Sequence, residues 1–207
     1  VQTPNYANPF IEERADPYMV KGEDGYYYFT ASYPAYGSVD KGYDRIILRR
    51  SKTVAGLASA EEKTIWKAHS SGILSKHIWA PEMHYIGGAW YIFFAAGSSD
   101  NIWAIRPYVL KCSGDPYNGQ WTECGQMQAS YGDTESFQGF SLDMTYFSCN
   151  GKHYVIWAEI KGDSSLFMAE INPSEPWKLT SKAIMLTNPE YNWEMVNNRV
   201  NEGASVL

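Results

Sequence analysis

Short runs of β-branched and aromatic residues recur along the chain, each closed by a glycine-bearing turn, and no stretch carries the apolar period and caps of a helix. The runs predict strands in three sets of four: 16–20, 26–32, 46–51 and 64–67; then 82–86, 90–96, 108–113 and 121–127; then 142–148, 153–159, 166–171 and 183–186. The second run of each set aligns by eye as Tyr26-Tyr-Tyr-Phe-Thr, Trp90-Tyr-Ile-Phe-Phe and His153-Tyr-Val-Ile-Trp. The turn before it holds Gly22, Asp24 and Gly25 in the first set, Gly87-Gly88 in the second and Asn150-Gly151 in the third. Residues 1–13, polar and proline-bearing, read as a surface strap, and 33–44, rich in Gly and Tyr, as a rim segment.

A carboxylate opens the first run of every set: Asp16, Glu82 and Asp143, with Glu202 opening a last apolar run over 202–207. A period near sixty residues suits a four-stranded propeller blade with generous loops, somewhat above the roughly 40 to 50 of common blade repeats. The innermost strand of each blade runs along the axis, so residues at its start converge on one end of the axial cavity. One such Asp or Glu would read as a solvated turn residue; four at repeat positions favour a site. The fold expected is all-β, a propeller to which residues 1–207 give three blades and the first strand of a fourth. A ring must close, so further residues or a second polypeptide are expected to complete this single domain.

Composition narrows the partners. A net charge of −6 argues against nucleic acid, and no apolar run approaches the roughly 20 residues of a membrane helix. The first residue is Val1, which fits removal of a secretion signal. Cys112 and Cys124 flank a hairpin and are either a disulfide or two buried thiols; Cys149 is left over. His69, His77, His84 and His153 lack ligand spacing and read as structural, with His77, just before Trp79, kept as a pocket contact.

Among reactions, glycoside hydrolysis uses such a set of carboxylates. One acid protonates the leaving oxygen while a second carboxylate works on the opposite face of the sugar, about 6.5 to 9.5 Å away when the configuration inverts. A third carboxylate beside the acid raises its pKa by like-charge repulsion. Trp79, Trp157, Tyr33 and Phe140 stand near the strand starts or on the rim, and flat aromatic faces suit the apolar faces of sugars. Any single Trp in so aromatic a chain is more often core. No Gly-x-Ser-x-Gly, His-Glu-x-x-His or phosphate-loop motif occurs.

The segments Arg14-Ala-Asp-Pro17, Tyr43-Asp-Arg-Ile46 with Leu48-Arg-Arg50, Ile78-Trp-Ala-Pro-Glu82, Ser141-Leu-Asp143 and Val200-Asn-Glu-Gly203, in this order and spacing, resemble glycoside hydrolase family 43, and within it the exo-acting α-L-arabinofuranosidases. The resemblance spans nearly everything from Asn8 to Leu207. It implies a five-bladed β-propeller, secretion, and hydrolysis with inversion, with Asp16 as general base, Asp143 as the tuning carboxylate and Glu202 as general acid. Glu82 becomes a supporting pocket residue, counted with Arg14, Tyr33, Trp79, Phe140 and Trp157 as substrate contacts. The implied substrate is arabinan or an arabinose-substituted oligosaccharide. A β-xylosidase of the same family and a non-catalytic carbohydrate-binding propeller are the alternatives. No cofactor is required by the resemblance, which leaves room for a structural calcium ion on the axis. Two departures stand out: Ala204 where Pro is expected after Glu202-Gly203, and what looks like an insertion over 37–42 on the rim.

Overall fold

The computed structural model describes residues 6–35 and 38–206, with side chains for all of these except 38–40. Residues 1–5 of the strap, 36–37 of the rim segment and Leu207 lie outside the described residues. The first blade contains β1 (Ala15–Lys21) and β2 (Tyr27–Ser32). The rim segment then forms a two-stranded hairpin of β3 (Pro34–Ala35) and β4 (Ser38–Gly42), and β5 (Arg45–Ser51) and β6 (Lys63–Lys67) complete the sheet in the order β1-β2-β5-β6. Blade two is β7 (Lys76–Ile86), β8 (Ala89–Gly97), β9 (Arg106–Cys112) and β10 (Thr122–Gln126), and blade three begins with β11 (Ser141–Cys149), β12 (Lys152–Lys161) and β13 (Asp163–Asn172). All named pairs in these sheets are antiparallel.

Turn chemistry sets the inner registers. Gly87-Gly88 and Asn150-Gly151 close two-residue hairpins with positive φ at both positions, a turn whose twist matches that of the flanking strands.

The strand expected over 183–186 forms within one residue of those bounds, but it does not have that edge of blade three to itself. Because β13 is ten residues long, two short strands share its free edge: β14 (Glu175–Leu179) pairs its far end, and β15 (Ile184–Thr187) pairs Leu166–Met168 nearer its start. Nor does a strand form over 202–206. That segment is tied down by the Val200–Ser164 bridge and the Asn201 N–H donating to the Ser164 carbonyl at 2.9 Å, with no further ladder among the described residues.

The blades pack face to face. Every residue of β8 is buried because both its faces meet a neighbour, which is why it reads as an unbroken apolar run. Ile92 and Phe94 join Tyr28, Ile46 and Leu48 against blade one, while Tyr91 and Phe93 join Val155, Trp157 and Phe167 against blade three. Each such burial stabilises by about 1.5–3 kcal/mol. The cysteines are all free thiols. Cys112 packs in the first of these cores and Cys124 against the second, so they sit on opposite faces of blade two.

Candidate active site

The three inner strands bulge at one shared place. In β1 the register shifts between Ala15, opposite Ser32, and Tyr18, opposite Thr30. In β7 it shifts between Trp79 and Glu82, and in β11 between Leu142 and Thr145. The residue that follows the last regular pair has positive φ each time: Asp16 at 47°, Ala80 at 45° and Asp143 at 51°. A bulge re-aims a side chain, and a non-glycine residue in this region costs about 1–3 kcal/mol that the surrounding fold must hold. The blade-two equivalent of Asp16 and Asp143 is therefore Ala80, not Glu82. Glu82 lies two residues deeper, level with Tyr18 and Thr145, which corrects the fourfold repeat expected of the carboxylates. Pro17 and Pro81 keep the true phase.

Asp16 and Asp143 line two adjoining hollows. The larger, about 460 Å³, is walled by Tyr43, Trp79, Phe140, Leu142 and Glu202; the smaller, about 270 Å³, by Tyr18, Ala80, Glu82 and Gly203 to Ser205. The expected trio thus meets in one place, with Glu202 delivered by the docked segment after Val200. Ala80 uses its backbone where its equivalents use carboxylates. Its N–H donates to Ser32 Oγ at 2.7 Å, and the Ser32 hydroxyl donates to Asp16 Oδ2 at 2.8 Å. The Ser164 hydroxyl holds Glu202 Oε1 at 2.9 Å.

Burial, and then the charges of Glu202, Asp16 and Glu82, push Asp143 up to about 7, opposed by the Gly203 N–H. The floor of the smaller hollow is a chain of polar contacts. Glu82 Oε2 meets His84 Nε2 at 3.1 Å, and His84 Nδ1 meets the Tyr18 hydroxyl at 3.2 Å. Burial and the Glu82 charge push the Tyr18 phenol far up, keeping it neutral. His84 was legible only as structural, because its place at the floor depends on the bulges above it.

Trp79 and Phe140 line the larger hollow as expected, and Glu82 lines the smaller. Tyr43, which the sequence marks only as part of Tyr43-Asp-Arg-Ile46, stands edge-on to Trp79 at 6.1 Å and is a wall of the cleft. The His77 ring lies tilted against Trp79, centroids 4.5 Å apart, and so backs the pocket. Three expected contacts are elsewhere. Trp157 is fully buried between Phe137 and Phe167, its Nε1–H donating to Glu159, because its side of β12 faces blade two. Arg14 is paired with Glu62 at 2.5 Å, and the Arg14 and Arg45 guanidinium groups lie 4.1 and 4.4 Å from the centre of the Tyr33 ring. Neither Arg14 nor Tyr33 lines the hollows. Among the described residues no three His, Cys, Asp or Glu side chains form a group that could hold a metal ion.

The model of glycosyl hydrolases family 43 matches residues 6–207. The extracellular exo-α-(1→5)-L-arabinofuranosidase of Streptomyces chartreusis is 44% identical over 98% of this chain, and α-L-arabinofuranosidase 43 of Humicola insolens 43% identical over 98%. The crystal structure of the α-L-arabinofuranosidase from Lactobacillus brevis superposes with a TM-score of 0.80 at 45% identity, over 96% of this chain. The chain spans 58%, 40% and 61% of the lengths of these three.

Proposed function

Because this chain belongs to glycosyl hydrolases family 43, we propose that the protein is an inverting exo-acting α-L-arabinofuranosidase that removes terminal arabinofuranose from arabinan or arabinose-bearing oligosaccharides. The observation that carries this reading is the meeting of Asp16, Asp143 and Glu202 in one aromatic-walled cleft. Asp16, with one oxygen occupied by the Ser32 hydroxyl, offers the other to a water that attacks the anomeric carbon. Glu202, fixed through Oε1 by Ser164, offers Oε2 to the departing glycosidic oxygen. Asp143, raised to about 7, keeps a proton near neutral pH beside Glu202 in the cleft, and Glu202 takes the role of the acid. Tyr43, Trp79 and Phe140 give an apolar wall that excludes water from the sugar's far face.

The names of the Streptomyces relatives support action outside the cell, and no described helix is long and apolar enough to cross a membrane. The remaining blades would come from further residues or a second polypeptide.

The test is digestion of debranched α-1,5-arabinan by the full-length protein, with the anomer released followed by NMR. β-Arabinose appearing first supports inversion and substrate class together; release of xylose from xylo-oligosaccharides instead would move the reading to a xylosidase. Glu202→Gln should abolish cleavage of arabinan while sparing an aryl arabinofuranoside whose leaving group needs no proton. Equal loss on both would remove Glu202 from the acid role.

A further inference from the structure

The loop between β8 and β9 carries a large aromatic side chain that the core does not use. Trp103 is 59% exposed, whereas Ile105, two residues on, is fully buried. Its ring lies almost parallel to His77, centroids 4.9 Å apart and planes 23° apart, and His77 in turn lies 4.5 Å from Trp79, a wall of the catalytic cleft. Trp103, His77 and Trp79 thus make a continuous aromatic ladder running from the cleft to the surface.

The loop is built to hold this position. The Trp103 N–H donates to Asn101 Oδ1 at 3.2 Å and the Ala104 N–H to the Asn101 carbonyl at 3.0 Å, closing a turn. The Ser99 N–H reaches the Gly72 carbonyl at 3.0 Å, and the Gly72 N–H donates to Ser99 Oγ at 2.8 Å, tying the loop to the connection between blades one and two. At the loop's base, a Cβ on Gly97 would fall 2.3 Å from the Ile102 carbonyl oxygen, so only glycine lets the backbone return so closely. A fixed aromatic face loses little freedom when a ligand stacks on it.

We propose that Trp103 is a binding platform for the sugar units on the leaving-group side of the scissile bond, and that it sets the preference for oligosaccharide over short substrates. This rests on the exo-acting reading above. An exo enzyme encloses only the terminal sugar, so any part of the substrate that passes over the rim is the leaving group. The negative face of the indole matches the C–H face of a pyranose or furanose ring, and continuity through His77 to Trp79 directs that chain along the ladder. Trp103 takes no part in proton transfer; it holds the chain.

The experiment is a length series: arabino-oligosaccharides of two to six units, the xylo-oligosaccharides of the same lengths, and an aryl arabinofuranoside, assayed with the full-length protein and its Trp103→Ala and Trp103→Phe variants. The expected result is a KM about tenfold higher for the longer oligosaccharides in Trp103→Ala. Values of kcat, and both constants for the aryl substrate, should be unchanged, and Trp103→Phe should recover most of the loss. A length dependence that survives in Trp103→Ala, or an equal loss on the aryl substrate, overturns the platform while leaving the arabinofuranosidase reading intact. If the wild type acts on the xylo series, the activity reading fails, yet a length dependence abolished by Trp103→Ala still supports the platform. No turnover or binding of any oligosaccharide by the wild type overturns both.

Discussion

Asp143 is held in the cleft at a cost to the fold. With its carboxyl raised from an ordinary 3.8 to about 7 by burial and by Glu202, Asp16 and Glu82, the native state holds a proton that the unfolded chain releases. Its penalty is therefore absent below pH 4, grows as pH rises, and is complete above about 7. Asp143→Asn should thus melt like the wild type at pH 4 but later at pH 8, the difference growing by up to about 4 kcal/mol, while activity is lost; equal melting shifts at both pH values would contradict this. The wild-type kcat/KM should fall above pH 7 as Asp143 loses its proton. A second buried carboxylate does structural work. Glu159, fully buried, accepts from the Phe137 and Gly139 N–H groups and from Trp157 Nε1, fixing the loop that leads to Phe140. Glu159→Ala leaves three donors unsatisfied, at about 1–3 kcal/mol each, so the melting point should drop and KM rise as Phe140 shifts. Glu159→Gln, still an acceptor, should lose less. The three carboxylates that meet in the cleft, Asp16, Asp143 and Glu202, were legible because their type and order name a chemistry. Trp157 and Tyr33 misled, since a Trp in a strand fits a core as readily as a cleft, and nothing local reveals that two guanidinium groups lie over a Tyr ring.

At the level of the element, strands and hairpin turns followed from composition, but the bulges did not. A bulge changes phase by one residue without any sequence mark of its own, and aligning blades on acidic residues paired Glu82 with Asp16 and Asp143 when the prolines show that Ala80 belongs there. The split outer edge of blade three escaped for a related reason: the length of β13, not the pattern of its partners, decides how many strands it can seat. The rim hairpin of β3 and β4 has a function that its glycine exposes. Gly42 has φ +82°, and a Cβ there would meet the Ala35 nitrogen at 2.4 Å and the Tyr33 carbonyl oxygen at 2.5 Å. Next to it Tyr43 anchors both sides, its N–H bonded to the Tyr33 carbonyl and its own carbonyl receiving the Ile78 N–H at 2.9 Å. Gly42→Ala should therefore displace Tyr43 from the cleft wall. Beyond the roughly 1 kcal/mol of conformational cost, it should lower kcat/KM on arabinan several-fold, whereas a variant with unaltered kinetics would separate the hairpin from the site.

For the whole molecule, the decisive feature is what the two outermost blades leave uncovered. On blade one, the face turned from blade two holds an apolar groove of about 310 Å³ lined by Tyr6, Phe10, Met19 and Phe29 among others. On the far side of blade three, Ile184, Met185, Tyr191, Trp193 and Val196 are each more than half exposed. Propeller blades bury both faces, as β8 does between its neighbours, and patches of this character on a soluble domain mark contact surfaces. The relatives extend well past the matched length, and blades beyond the third would cover both faces while closing the wall of the cleft opposite Trp79. Residues 1–207 prepared alone should accordingly self-associate and bind a hydrophobic dye. Supplying further blades, in one chain or in trans, should give a single species in sedimentation, lower dye binding and raise arabinose release. A monodisperse 207-residue monomer with full activity would mean that three blades suffice, and that these two apolar faces serve another purpose.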